Sequence, residues 1–182
     1  HNVRAAWQWA VATVDMPSLA RSAEGFWCFV QLQTAYEEGK IVFQQAVSAL
    51  TDSSRHQPSA EHWSLAGNLI CFQSYVCTST GDWRTGQTLA RRGLSWLRQY
   101  DPQNKPRNAF ALLCLGHALG GGGNSPESIE SILEGNALYA EIEDYWGVAR
   151  SFRIASQAAY TIGKFGEALR LVQQGLVVAD KH

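Results

Sequence analysis

The sequence predicts an all-α protein in which helical hairpins pack side by side as an α-solenoid. Apolar and small residues recur at the helical period in one segment after another, most clearly between residues 144 and 180. Short turns separate these segments, and the pattern returns about four times. Because one hairpin cannot bury both of its faces, several must stack. We expect four hairpins in a right-handed superhelical array, preceded by one extra helix.

The first half of the chain contains the extra helix and one hairpin. The extra helix is expected at residues 2–14. Asp15 and Pro17 then open the next helix, since aspartate caps helices and proline is tolerated in the first turn. The two helices of this hairpin are expected at residues 19–33 and 36–50, and the polar segment 51–58 (TDSSRHQP) ends the second one.

Three further hairpins are indicated by turn and cap signals. Ser59 is expected to cap one helix, Gly81-Asp82-Trp83 forms a turn, and Asp101-Pro102 stops the following helix. Ser125-Pro126-Glu127 combines a cap, a first-turn proline and an acid that suits a helix start. The expected helices cover residues 59–78, 84–100, 106–119 and 125–142, and a final pair lies within 144–180 with its turn at Gly163-Lys164-Phe165.

Small residues mark the second helix of each hairpin at a similar interval. They are Gly39, Gly86, Ser128 and Ala168, separated by 47, 42 and 40 residues. Seven positions further on, another small residue follows in every case: Ala46, Gly93, Gly135 and Gly175. We therefore expect one domain, 1–182, with approximate repeats at 16–52, 59–101, 104–143 and 144–180. In the last repeat, the stripe expected to build the core is Ala168, Leu171, Val172, Gly175 and Leu176.

This pattern resembles the tetratricopeptide repeat, in which a glycine-containing turn precedes a helix with small and bulky residues at these intervals. The turns at Gly81 and Gly163 match that family best. Three features depart from it, one of which is that two repeats are longer than the family's usual length of about 34 residues. The bulky-aromatic and Leu-Gly signature of its first helix is missing, and Asp180 stands where a terminal proline is usual.

A wider resemblance covers nearly the whole chain. Three segments are similar to the repeat region of large bacterial signal-transduction (STAND) ATPases, including LuxR-type and MalT-like transcriptional regulators: HNVRAAWQWAV, GFWCFVQLQTAYEEGKIVFQQAVSAL and LEGNALYAEIEDYWGVARSFRIASQAAYTIGKFGEALRLVQQGL. In that family a stretch like Asn2–Ala6 follows the nucleotide-binding and winged-helix modules. The resemblance implies a cytoplasmic sensor domain excised from a longer protein, with an ATPase module upstream.

Composition argues against several functions. Fifteen basic and sixteen acidic residues give a net charge of −1, and no basic run is present, so no direct nucleic-acid contact is expected. The longest apolar stretches are only a few residues, so no membrane span is expected. The four cysteines form no CxxC pair, which disfavours zinc and favours buried, reduced thiols.

No catalytic motif stands out. The glycine-rich run 116–123 lacks the Lys-Ser or Lys-Thr of a phosphate loop, and we interpret it as a flexible connection between helices. Neither GxSxG nor HExxH occurs, and the paired acids resemble solvated helix ends. His117 is the one histidine inside a helical pattern, and a satisfied, partly buried role is favoured for it. We predict a protein that is not an enzyme and needs no cofactor or metal.

A binding surface is predicted from the geometry of stacked hairpins. The first helix of each hairpin lines the concave side, so residues three to four positions apart on these helices form a row. The candidate ligand-binding residues are Arg21, Glu24, Gln31, Asn68, Tyr75, His117, Arg150, Arg153, Gln157 and Tyr160. Arginine, amide, tyrosine and histidine suit a polar or anionic ligand or a peptide, although a merely solvated inner face would have a similar composition.

Two functions remain open at this point. The first is a non-catalytic sensor or protein-interaction domain that binds a small-molecule, peptide or protein effector in the concave groove and regulates a linked ATPase or transcriptional regulator. The alternative is a structural module for oligomerisation with no effector, in which exposed apolar residues of the second helices, such as Trp83 and Trp96, form the interface.

Overall fold

The computed structural model describes residues 2–54, 57–123 and 125–181, excluding the side chain of Ser125. Within these ranges the chain is all-helical, as predicted. It forms helices α1 (Asn2–Thr13), α2 (Met16–Leu32), α3 (Tyr36–Thr51), α4 (Ala60–Ser79), α5 (Trp83–Tyr100), α6 (Lys105–Gly121), α7 (Ser125–Glu141), α8 (Tyr145–Thr161) and α9 (Phe165–Lys181). Each helix packs against its neighbours in sequence. The fold is an α-solenoid of four hairpins (α2–α3, α4–α5, α6–α7 and α8–α9) preceded by α1.

Side-chain caps explain where several helices begin. Asp15 accepts a hydrogen bond from the Ser18 amide at 3.2 Å, and Asp82 accepts one from the Thr85 amide at 3.2 Å. Asp144 accepts one from the Gly147 amide at 2.8 Å, which starts α8. Each bond pairs an amide that has no partner within its helix. The cap predicted at Ser125, and residues 55 and 56 of the predicted polar loop, lie outside the described atoms.

Small residues allow the helices of a hairpin to approach closely. A Cβ atom on Gly93 would lie 2.6 Å from Cys71 Sγ and 2.8 Å from the Gly67 carbonyl oxygen, so α5 touches α4 at this point. Ser128 Oγ donates a hydrogen bond of 2.6 Å to the Gly116 carbonyl oxygen, which joins α7 to α6. The run 116–123 ends α6 as expected, but the helix continues to Gly121, two residues beyond the predicted end at residue 119, and uses Gly116 for packing.

The two central helices are buried on nearly every side. α4 contacts α2, α3, α5 and α6, and α6 contacts α4, α5, α7 and α8. Cys71, Cys77 and Cys114 are buried in this region, and burial raises the pKa of all three thiols. Cys28 on α2 is exposed, which corrects the expectation that all four thiols are buried.

The last helix exposes part of the stripe that was predicted to be core. Leu171 is buried, but Val172 and Leu176 are 42% and 57% exposed. α9 packs on α8 alone, so only the residues that face α8 are covered. Phe165 and Leu169 extend the same exposed apolar surface. We call these four residues, Phe165, Leu169, Val172 and Leu176, the α9 stripe.

The outer surface of the solenoid is linked by ion pairs between helices. Arg91 and Glu127 are 2.6 Å apart, and Arg98 and Glu134 are 2.7 Å apart, so two bridges join α5 to α7. Both pairs are about half exposed, and such pairs contribute about 0.2–1 kcal/mol each. In the part of the chain that the structure describes, no helix combines the length and the apolar character that crossing a bilayer requires.

Candidate functional site

The first helices of the four hairpins bring their side chains together on one side of the solenoid. We call this surface, formed by α2, α4, α6 and α8, the inner groove. Its helices belong to different hairpins, so the groove is built only when the repeats stack. Aromatic rings, two arginines and a cavity lie along it.

Four rings form a continuous aromatic floor, which consists of Trp27, Phe72, Tyr75 and Phe110. Trp27 stacks on Phe72 with 5.4 Å between ring centroids and meets Phe110 edge-on at 5.3 Å. Tyr75 lies 5.6 Å from Trp27 and 6.4 Å from Phe110. Such pairs contribute about 0.5–1.5 kcal/mol each beyond the area that they bury. The floor is therefore a rigid apolar surface that joins three hairpins.

Arg150 reaches from α8 onto this floor. Its guanidinium carbon lies 5.7 Å from the Trp27 ring centre, 5.3 Å from that of Phe110 and 5.9 Å from that of Tyr139. Arg150 Nη2 donates a hydrogen bond of 3.0 Å to the Tyr139 hydroxyl. Arg150 Nε is buried and has no hydrogen-bond partner among the described residues. Leaving such a donor unpaired costs about 1–3 kcal/mol.

Other donors of the groove are also buried without a partner in the described structure. They are Trp27 Nε1, Gln31 Nε2 and His117 Nδ1, the last of which is a donor in only one tautomer. Gln31 lies one turn beyond Trp27 on the same face of α2. Buried polar atoms in folded proteins are nearly always paired with protein groups, ordered water or a ligand, so these donors are open to an acceptor from outside the chain. Among the described residues, the lack of a partner for Nδ1 also corrects the interpretation of His117 as a satisfied histidine.

His117 and Arg153 lie at the α8 side of the floor. The imidazole of His117 is 5.0 Å from the Tyr75 ring. Burial, together with the positive charge of Arg153, lowers the pKa of His117 to about 4, so the ring is neutral at pH 7. Burial raises the pKa of Tyr75, an effect that the nearby charges of Arg153 and Arg150 partly offset. This end of the groove is thus positively charged through its two arginines alone.

A cavity of about 210 Å³ opens beside Arg150. Its walls include the floor residues Trp27, Phe72 and Phe110, together with Trp146 at the start of α8. Trp146 is 75% exposed, although a tryptophan side chain is largely apolar. The volume of the cavity equals that of roughly seven waters at about 30 Å³ each, which is enough for a ring with one substituent.

The structure brings together most of the predicted site residues. Glu24, Asn68 and Arg150 line the 210 Å³ cavity. Tyr75 is part of the aromatic floor, His117 packs on it, and the charge of Arg153 acts on both, while Gln31 lies one turn from Trp27 on α2. Gln157 lines a smaller hollow of about 50 Å³ together with His117. Asn68 is only 6% exposed, because the central helices are covered on both sides.

Two predicted residues lie elsewhere. Arg21 lines a separate hollow between α1 and α2. Tyr160 is exposed and packs on Phe165, 5.4 Å away between ring centroids. The prediction that one row of residues on each first helix faces the groove is therefore wrong for Arg21 and Tyr160. The side chains do not all point along the groove axis, and α1 covers one edge of α2.

Sequence reasoning missed several cavity residues. Trp27 has the helical spacing of a core residue, so its place in the cavity wall does not follow from the sequence pattern. Tyr139 comes from α7, which is a second helix and was not expected on the inner side. Trp146 and Asp144 belong to the start of α8, where only the cap could be foreseen. The local signal was a tryptophan, Trp146, two positions after Asp144, a residue type that suits a helix start.

The alternative interface residues are also placed differently from expectation. Trp96 packs edge-on against Trp63 with 4.8 Å between ring centroids, and Trp83 lies directly over Gly121. Both tryptophans are half-buried by contacts within the chain. They therefore do not form the open apolar surface that an interface would use.

The fold and the groove define the class of protein: an all-α solenoid with a preformed aromatic and cationic groove on its inner face. No protein-family model matches the chain, and no curated protein matches it in sequence. Across the described ranges, no three His, Cys, Asp or Glu side chains cluster in a way that could hold a metal ion.

Proposed function

We propose that this protein is a non-catalytic sensor or interaction domain that binds an effector in the inner groove. The observation that supports this most directly is that Trp27 and Arg150, which line a cavity with aromatic walls, each carry a buried donor without a partner in the described structure. Sites for small ligands are typically concave and apolar with a few polar groups that fix orientation. A groove shared by several hairpins also couples ligand binding to the way in which the hairpins pack.

We further propose that effector binding regulates a linked signalling ATPase or transcriptional regulator of a cytoplasmic pathway. This part depends on the resemblance of Asn2–Ala6 and of the later segments to the repeat regions of such proteins. A ligand shifts the parent protein between states only if it binds one of them more tightly. A ligand that touches α2 and α8 together would favour the state in which those helices are close.

The test uses the tryptophan indole signals of ¹⁵N-labelled protein in NMR spectra. The chain has seven tryptophans, of which Trp27 and Trp146 line the cavity, while Trp63 and Trp96 pack against each other away from it. We titrate acidic, basic and neutral small molecules and short peptides. An effector should shift the Trp27 and Trp146 signals and leave those of Trp63 and Trp96 in place.

The double variant Arg150→Ala/Arg153→Ala should abolish binding of any compound found in this way. Unchanged affinity would exclude the inner groove as its site. Regulation is tested separately in the full-length parent protein, where the effector should change the rate of ATP hydrolysis and the double variant should remove that change.

A second candidate function is oligomerisation without an effector, which the α9 stripe favours. Its four large apolar residues are exposed at helical spacing, and patches of this kind often mark contact surfaces between proteins. If a second copy covers the stripe, light scattering should show a dimer at micromolar concentration. Leu169→Glu should then yield monomers, and Gln174→Glu, at an exposed position on another side of α9, should not.

A further inference from the structure

The inner groove contains two arginines without acidic partners. Arg150 and Arg153 lie one turn apart on α8, and neither forms an ion pair with a carboxylate in the described structure. Arginines at other contacts between helices behave differently: Arg4 pairs with Glu38, and Arg98 pairs with Glu134. The difference shows that the positive charge of the groove is not neutralised from within the chain.

The acids that border the cavity do not neutralise Arg150. Asp144 Oδ1 accepts the amide hydrogen of Gly147 at the start of α8, and Asp144 forms no ion pair with Arg150 in the described structure. Glu24 lies at the opposite wall on α2 and is exposed to solvent. Arg107, the other cation of the cavity, already interacts with Asp101 at 3.4 Å. Arg150 is therefore the cationic group that remains for a ligand.

An organic cation fits this arrangement less well than an anion does. Three rings surround the guanidinium of Arg150, so the place where a ligand cation would bind aromatic faces is already filled. An oxyanion that entered the cavity would meet the guanidinium and could draw it forward, which would pair the buried Nε–H. Hydrogen bonds of this charge-assisted kind are about twice as strong as those between neutral groups.

The aromatic walls of the cavity favour a planar ring in the part of the ligand that does not contact Arg150. Trp27, Phe110 and Trp146 present apolar rings on several sides of a space of about 210 Å³. A planar ring stacks on such walls with centroid distances of about 4.5–7 Å. Stacking would also cover the exposed face of Trp146, which solvent otherwise reaches.

We infer that the cavity beside Arg150 is a subsite for an aromatic oxyanion, with the carboxylate or phosphate on the guanidinium and the ring between Trp146 and the aromatic floor. This inference rests on the proposed function and specifies the ligand class of the same groove. A free aromatic acid and an aryl phosphate share this chemistry, and separate probes distinguish them.

The experiment follows the indole signals of Trp27 and Trp146 during titration with five probes. Benzoate and phenyl phosphate have both the ring and the charge, benzamide lacks the charge, acetate lacks the ring, and phenyltrimethylammonium has the opposite charge. We expect benzoate or phenyl phosphate to bind at least about tenfold more tightly than benzamide, since one charge-assisted hydrogen bond exceeds about 1.4 kcal/mol. The tighter of the two anions identifies the oxyanion.

Variants separate charge from folding. Arg150→Gln should weaken binding of the anionic probe at least about tenfold, and Arg150→Lys should retain part of the affinity. Arg91→Gln on the outer surface should leave the affinity unchanged. Circular dichroism checks that each variant folds. If Arg150→Gln does not fold, the oxyanion assignment is still tested by Arg153→Gln and by the comparison of benzoate with benzamide on the unmodified protein.

The outcomes also distinguish this inference from the proposed function. If benzamide or phenyltrimethylammonium binds as tightly as benzoate, the groove is a binding site but the oxyanion assignment is wrong. If no probe of any charge moves the Trp27 and Trp146 signals, the oxyanion assignment is overturned and the proposed function loses its main support.

Discussion

His117 should make the stability of this protein depend on pH in a defined window. The unfolded chain protonates this histidine below about pH 6.5, whereas the folded protein does so only below about pH 4. Between these values the unfolded state binds more protons, so the free energy of unfolding falls as the pH falls. Each unit of pKa difference corresponds to about 1.4 kcal/mol, which gives roughly 3 kcal/mol across the window.

The physical causes are burial of the imidazole, first, and the positive charge of Arg153. Tyr75, the ring that packs on His117, does not titrate in this range because its pKa is raised. Charging His117 would therefore place a cation in an apolar site beside another cation, with no acid to offset it.

The assay is urea unfolding of the wild type and of His117→Gln, followed by circular dichroism between pH 7.5 and pH 4. Glutamine is polar but cannot titrate in this range, and its own packing cost cancels when the difference between the two proteins is followed against pH. Between pH 7.5 and pH 4, we expect the free energy of unfolding of the wild type to fall by roughly 3 kcal/mol relative to that of the variant. A difference that stays constant with pH would refute the argument, as would an NMR titration midpoint of His117 near 6.5.

Two matched pairs of substitutions test the packing. Gly93→Ala should destabilise the protein by about 1–3 kcal/mol, because the new Cβ would meet Cys71 Sγ and the Gly67 carbonyl oxygen. Gly25→Ala should instead stabilise α2 by about 0.5–1 kcal/mol, because the new Cβ meets nothing within 4 Å. Thermal unfolding of both variants checks these signs, and a neutral Gly93→Ala would show that α4 and α5 are not in close contact. On α9, Leu171→Ala should cost about 2–5 kcal/mol, and Leu176→Ala should change stability by less than about 0.5 kcal/mol. Equal losses in urea unfolding would mean that Leu176 is covered, as it would be in an oligomer.

Local patterns explain why the helices could be predicted closely. Caps such as Asp82 and Asp144 act on amides three residues away, and helical periodicity involves neighbours three and four positions apart. These interactions are visible in a single segment. The predicted start of the second hairpin at Ser59 and the predicted turn at Gly163 therefore agree with α4 and α9 to within a residue or two.

Contacts between distant segments explain what could not be predicted. Leu171 and Val172 both fit an apolar helical stripe, and only the position of α8 decides which of them is covered. Asn68 satisfies the geometry of an exposed inner row, yet the packing of α4 within the solenoid buries it. The packing of α6 at Gly116 likewise involves a distant residue, since Ser128 from the next helix donates a hydrogen bond to the Gly116 carbonyl oxygen.

The sequence by itself thus determined an all-α solenoid, the order and approximate bounds of its helices, and the side on which polar residues of the first helices gather. Only the tertiary structure decided that Trp27, Phe110 and Tyr139 surround Arg150 and that its guanidinium lacks an acidic partner among the described residues. The physical reason is that these four residues come from three hairpins. Their distances are determined by how whole helices stack, whereas helix formation is determined within a few residues.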